Sequence, residues 1–361
     1  MKHHELHEFD PTPIADAHLH HTRDFTAEET VTAFRSIMAH HNLCRVLFAS
    51  LTMQSPIEDV LTFYCKSCLA PAGYAAPAIN HHYDGRDTAA FFLDEIKKYV
   101  AMGCDGIKML EGKPSMNRAI HTPCLSDAVY EPFFAYAEEN GIPLLVHLGD
   151  PDYFWDITKI DEYAIKRGWY NPPGSKSLKT LRAELEAVLA KFPRIKMTLA
   201  HFYFMDEDLV RLDKLLSTYP NVTLDLAPGT HFVGLSKTPE ASRDFFLKYY
   251  DRILYATDTF NVLSENAEAQ WWRHYVTRAT IEKDGEHVQG GKTYRFLSLP
   301  REAQDAIYRN NFTRIYGNAL RPLDAERILA ECRLIASERT LTPADADRLA
   351  TITAHFEDCL A

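Results

Sequence analysis

One feature constrains the fold of this chain more than any other: short apolar runs of strand length alternate with helical stretches, eight times over. The runs are Ile14–His20, Arg45–Leu51, Tyr74–Asn80, Asp105–Leu110, Pro143–Gly149, Lys196–Phe202, Val222–Ala227 and Ile253–Phe260. Most are near-continuously apolar, as parallel strands covered on both faces must be. The segments between them carry helix signals. "TAEETVTAFRSIMAHHN" opens on a Thr cap with acids in its first turn, and "TAAFFLDEIKKYVAMG" closes on a Gly before the fourth run. A parallel sheet closes on itself at eight strand–helix units, so the pattern predicts an α/β fold, a TIM (β/α)8 barrel. The rival is an open doubly wound sheet, and no Gly-rich phosphate turn follows the first run. Surplus length falls at 150–176 and 261–300, after the fifth and eighth strands, where long βα loops rim a barrel's mouth. Residues from about 301 to 361 read as terminal helices packing outside. No Gly- or Ser-rich linker divides the chain, so a single domain over 1–361 is expected.

Composition narrows the partners. Net charge is −11, from 39 basic and 50 acidic residues, which argues against nucleic acid. No apolar run approaches the ~18 residues of a membrane span. The start, "MKHHELHEFDPTP", lacks the apolar centre of a signal peptide. Seven scattered cysteines suit a reducing compartment. A cytoplasmic protein acting on a small molecule is the expectation. "CKSC" (Cys65–Cys68) has no second pair at zinc-ribbon distance and reads as two ordinary helical cysteines.

Polar residues interrupt the apolar runs mainly at one end. His18 and His20 alternate on the first strand and so share a face. Lys108 lies in the fourth, His147 near the end of the fifth, His201 at the end of the sixth and Asp258 near the end of the eighth. In a closed barrel these C-terminal ends converge on one mouth. A lone histidine at a strand end is more often a hydrogen-bonded structural residue. Several at the same end of separate strands, with a carboxylate, form a nitrogen/oxygen set suited to zinc, and also to manganese, iron or nickel.

With "DAHLH" near the start, this pattern resembles the amidohydrolase superfamily, most of all the branch of aminocarboxymuconate-semialdehyde decarboxylases and related metal-dependent hydrolases. "VHLGDPDYFWD", "FPRIKMTLAHF", "ILYATDTF" and "NNFTRIYGNA" extend the similarity over most of the chain. The resemblance implies one divalent ion, with zinc first among the candidates, ligated by His18, His20, His147 and Asp258. It implies Asp258 as proton carrier and His201 as the group that polarises the substrate or activates water. Lys108 is either a substrate anchor or, if carboxylated, a bridge to a second ion that His201 would also bind. The implied reaction is hydrolysis of an amide, lactam, lactone or ester in a small, anionic organic substrate by metal-activated water. The alternatives are a decarboxylase or hydratase of an unsaturated or aromatic acid, and a non-catalytic metal-binding barrel. Lys108, Arg23 and Trp155 are the candidate substrate contacts, with Lys113, Arg118, Trp271 and Trp272 nearby. A homodimer is an open expectation. The stretches His21–Arg23 and "EGKPSMNR" depart from the family's pattern.

Overall fold

The computed structural model describes residues 9–21, 25–51, 55–79, 88–260 and 267–361. The apolar runs form strands β1 (Ile14–His20), β2 (Leu43–Ala49), β3 (Gly73–Ala76), β4 (Ile107–Gly112), β5 (Leu144–Leu148), β6 (Met197–Leu199), β7 (Val222–Asp225), β8 (Ile253–Leu254) and β9 (Thr259–Phe260). They pair in parallel as two arcs, β3-β2-β1-β9 and β4-β5-β6-β7-β8. Backbone hydrogen bonds join the arcs at both seams. Lys108 N donates to Pro77 O at 2.8 Å, beside a parallel bridge between Ala78 and Lys108. On the other side Ala17 N donates to Tyr255 O at 3.0 Å, and Asp258 N to His18 O at 2.9 Å. The eight units therefore ring a common interior, the architecture of a TIM barrel.

Several boundaries differ from the sequence reading, each for a local reason. The run 253–260 splits in two, because the chain leaves the sheet after Leu254 and returns at Thr259, with Asp258 at φ 54° between. The run 196–202 stops at Leu199, where the backbone turns left-handed. The third strand ends at Ala76, and Asn80 lies outside the described residues. Much of the segment after the eighth strand is ordered secondary structure: a helix (Ala267–Glu282) and an antiparallel hairpin, Glu286–Gln289 with Lys292–Arg295. Gly290 and Gly291 make the hairpin turn at φ 57° and 73°, a conformation open to glycine at no steric cost.

Small side chains line the barrel's interior, among them Ala15, Ala17, Ala49 and Ala76, packed with Leu145 and Leu254. The short helix Asn311–Tyr316 does not simply pack outside: Phe312, Ile315 and Tyr316 join this interior cluster. They enter from the floor, because a Cβ on Gly106, just before β4, would lie 3.2 Å from the Tyr316 ring. The helices Ala325–Glu338 and Pro343–Asp358 do pack outside, on the helices Glu58–Cys68 and Ala89–Met102. Ser55 Oγ donates to Asp345 Oδ1 at 2.8 Å, and Lys98 pairs with Glu331 at 3.0 Å. Cys65 is buried, Cys68 is half-buried and neither is bridged. Among the described residues no helix is long and apolar enough to cross a membrane.

A buried ion pair ties the helix after β2 to the approach to β4 beneath the barrel. Lys66 Nζ lies 2.7 Å from Asp105 Oδ2 and donates to Gly103 O at 2.7 Å. Asp105 also accepts from Ala75 N and Arg321 N, at 2.9 and 3.1 Å. Burial pushes the lysine's pKa down and the carboxylate's up, so each charge depends on its partner. Removing one partner of such a pair strands the other in a medium that solvates it poorly. Lys66→Met is expected to lower unfolding stability by about 3–5 kcal/mol, measured by urea denaturation; a loss below about 1 kcal/mol would mean the pair is solvated.

Candidate metal centre and active site

The mouth is built from strand ends. Ala15 and Ala17 face the barrel interior, and strict alternation would send His18 and His20 the other way. The register of β1 against β2 slips between Asp16 and Leu19, and the slip brings both imidazoles inside as well. Asp16 fixes the slipped segment. Its buried carboxylate accepts from His18 N at 3.0 Å and Thr257 Oγ1 at 2.6 Å, and burial raises its pKa to about 7.

Hydrogen-bond partners assign the imidazole tautomers. His18 Nδ1 lies 2.8 Å from Asp225 Oδ2, and His20 Nδ1 lies 2.6 Å from Ala49 O. Both partners accept, so each Nδ1 carries the proton and each Nε2 a lone pair. The two Nε2 atoms face each other at 3.0 Å, and Asp258 Oδ1 lies 3.1 Å from His20 Nε2 and 3.9 Å from His18 Nε2. Three acceptors thus converge on one another. Such a cluster is repulsive unless a proton or a cation sits among them. Lys108 brings one ammonium to its edge, 2.9 Å from His18 Nε2.

A second pair lies alongside. His201 Nδ1 donates to Ala227 O at 3.0 Å, and His147 Nε2 lies 3.0 Å from Gly149 O. These bonds leave His201 Nε2 and His147 Nδ1 as lone pairs facing each other at 2.9 Å. Lys113 Nζ approaches His147 Nε2 at 3.3 Å while pairing with Asp150 at 3.0 Å.

Electrostatics favour the ligating forms. Burial, with nearby positive groups, holds His18, His147 and His201 well below the usual imidazole range, so all three are neutral. Asp258 is held below the usual carboxylate range, the Arg273 charge opposing the upward push of burial, so the carboxyl is ionised. Asp225 is pushed up to about 6 by burial and stays an acceptor at neutral pH. Lys108 is lowered to about 8 by burial.

This donor set fits a divalent cation. Two ligands of one ion, each about 2.1 Å from it, lie roughly 3.0–3.4 Å apart at coordination angles near 90–109°, as the 3.0 and 3.1 Å separations do. Among the described residues two groups bring three potential ligand atoms within 4.8 Å of one another: His18, His20 and Asp258, and His18, His201 and Asp225. In the second, Asp225 Oδ2 already holds His18 Nδ1, so the carboxylate orients a ligand from behind. His147 belongs to neither group and adjoins them through His201.

The backbone here is strained. His201, Phe202, Tyr203 and Phe204 follow one another at φ 61°, 53°, 58° and 49°, a left-handed turn made without glycine. Each such residue costs about 1–2 kcal/mol. His201 N donates to Asp225 Oδ1 at 2.7 Å, and the Phe202 ring is buried in a stack with Phe246 and His231, which together hold the turn in place.

A family model described as amidohydrolase matches residues 68–317. The chain belongs to the amidohydrolase family. No curated protein matches it. Among solved structures it resembles 4-oxalomesaconate hydratase from Rhodopseudomonas palustris, at 13% identity and TM-score 0.55, covering 90% of this chain and 98% of that one. It also resembles 2,6-dihydroxybenzoate decarboxylase from Rhizobium, at 14% identity and TM-score 0.52, covering 84% and 98%. An uncharacterised TIM-barrel protein from Bordetella bronchiseptica matches at 14% identity and TM-score 0.52, over 84% and 98%. At these identities the likeness is one of fold.

In this amidohydrolase the expected substrate contacts fare unevenly. Lys108 reaches the histidines, whereas Arg23 lies outside the described residues. Trp155 is held within its own loop, its indole N–H on Lys176 O at 3.2 Å and its ring against the small cluster of Phe154, Ile160 and Ala164. Arg118 donates to Asn171 Oδ1, Gly168 O and Tyr170 O and so fastens that loop. Trp272 packs on Tyr275 and Tyr294, and Trp271 on His40, which makes both packing residues. Two site residues escaped the sequence reading. Asp225 had a signal, an acid ending the apolar run "VTLD"; Arg273, on a helix after the eighth strand, had none.

Asp225→Asn tests the orienting role. The amide oxygen would be drawn to the backbone N–H groups of His201 and Ala227 that Oδ1 now serves. Its NH2 would then face His18 Nδ1 and force the proton onto Nε2. Zinc affinity, read by chelator competition, should fall about 10- to 100-fold with the fold intact by circular dichroism; unchanged affinity would remove Asp225 from the site.

Proposed function

We propose that this chain is a metal-dependent hydrolase that cleaves an amide, lactam, lactone or ester bond in a small, anionic organic substrate. The observation that carries this reading is the convergence of three lone-pair atoms, His18 Nε2, His20 Nε2 and Asp258 Oδ1, in a buried mouth. These residues would hold the ion, with His201 and His147 beside it, and zinc heads the metals that suit such a set. When bound, the ion supplies Lewis acidity and lowers the pKa of water towards neutrality.

The remaining chemistry belongs to the chain. Asp258, ionised and partly open to solvent, can take a proton from water and return it to the leaving group. His201 carries its proton on Nδ1, so its Nε2 accepts; in this tautomer it serves better as an acceptor towards water than as a donor polarising a carbonyl. Lys108 adds a buried amine beside His18, placed to orient an oxygen of the substrate or, as the free base, to become carboxylated.

A lyase is the second reading, supported by two fold relatives named as a hydratase and a decarboxylase. In that case Asp258 would deliver its proton to carbon.

Two outcomes are expected. Chelator-stripped protein should lose turnover and regain it with a divalent ion, and the double variant His18→Ala, His20→Ala should lose ion and turnover together. Full activity in metal-free protein would refute the reading. Products decide the class: an amine or alcohol freed together with a new carboxylate marks a hydrolase, whereas CO2 release, or water added to or lost from a carbon–carbon double bond, marks the lyase.

A further inference from the structure

The geometry points to Arg273 as the anchor for a carboxylate on the substrate, an assignment that rests on the ion-centred reading above and gives it a substrate class. Arg273 projects from the helix Ala267–Glu282 to the rim beside Asp258. Its Nη1 donates to the Asp258 backbone carbonyl and lies 3.6 Å from Asp258 Oδ2, too far for a hydrogen bond. Among the described residues, Nε and Nη2 meet no acceptor. The side chain is 24% exposed, next to an Asp258 side chain at 19%, so solvent and ligand reach both.

Among the described residues the other cations at the mouth are committed. Arg118 is spent on the loop after β5. Lys113 pairs with Asp150. Lys108 is buried against His18. Arg273 alone among these combines exposure with a free guanidinium edge. That edge presents parallel N–H donors, the fork that recognises a carboxylate bidentately.

The helix carrying it is fixed. His274, the next residue, meets Tyr255 Oη at 3.0 Å and Thr259 Oγ1 at 3.3 Å, and Trp272 packs into the hairpin through Tyr294. Asp258 stands between the guanidinium and the two Nε2 atoms, Oδ1 towards the imidazoles and Oδ2 towards Arg273. A ligand that reaches both must therefore be short, with its carboxylate a few bonds from the reacting group. This places the substrate among small carboxylic acids bearing a hydrolysable or eliminable group close to the acid.

The test compares malonate with malonamate, its half-amide, by calorimetric titration of zinc-loaded protein. Wild type should bind malonate about ten- to hundredfold more tightly, the range expected for a charge-assisted pair. Arg273→Met should erase that preference, and Arg273→Lys should keep part of it. An unchanged preference in Arg273→Met, or no saturable malonate binding by wild type, would overturn the assignment. Zinc content is measured in the same samples. An Arg273→Met protein that loses its zinc also overturns the assignment, since Arg273 then acts by positioning Asp258. If wild type itself takes up no zinc, the ion-centred reading fails, and the same contrast in metal-free protein still decides for or against Arg273.

Discussion

A neutral imidazole has one proton to place, and in this mouth that proton points away from the centre. Asp225, Ala49 O and Ala227 O hold the Nδ1 atoms of His18, His20 and His201 from behind, and Gly149 O holds His147 through Nε2. Every forward nitrogen is therefore a lone pair. Burial keeps His18, His147 and His201 neutral, while the Arg273 charge helps keep Asp258 ionised. An arrangement of acceptors facing acceptors is unfavourable by itself and becomes favourable around a cation. The rest of the site is organised to maintain it.

The fold contributes through irregularities more than through regular structure. Ideal alternation on β1 would send His18 and His20 away from the interior that Ala15 and Ala17 face, and the register slip prevents this. An ideal sixth strand would not carry His201 into its position over Asp225; the left-handed turn at 201–204 does. Asp258 reaches the imidazoles from the positive-φ break between β8 and β9, fixed by its own N–H on His18 O. Strain of this kind persists only where surrounding contacts over-determine the backbone, and it gathers where ligands are held.

The sequence made the barrel legible because eight apolar runs with helices between them leave few closed architectures. It also marked His18, His20, His201, Lys108 and Asp258 as neighbours, since strand ends in a barrel share one mouth. Other features were hidden for physical reasons. A register slip has no composition of its own, so the direction of His18 could not be read from "DAHLH". Asp225 acts through a second residue, and only contact shows that. Arg273 sits on a helix within a long connection, where an arginine looks like any solvated side chain. The hairpin at 286–295 was the more readable omission, because Gly290-Gly291 between two short runs is a turn signal. Tryptophans in the same loops suggested a pocket wall, but their rings are occupied by packing.

Anomalous diffraction from crystals of the protein as purified, collected above and below the zinc edge, tests the central claim most directly. The account predicts one strong peak about 2.0–2.3 Å from each of His18 Nε2, His20 Nε2 and Asp258 Oδ1. A mouth with no peak at any metal edge, even after soaking with zinc, manganese and nickel, would contradict it, because the facing lone pairs would then be reconciled by protons alone.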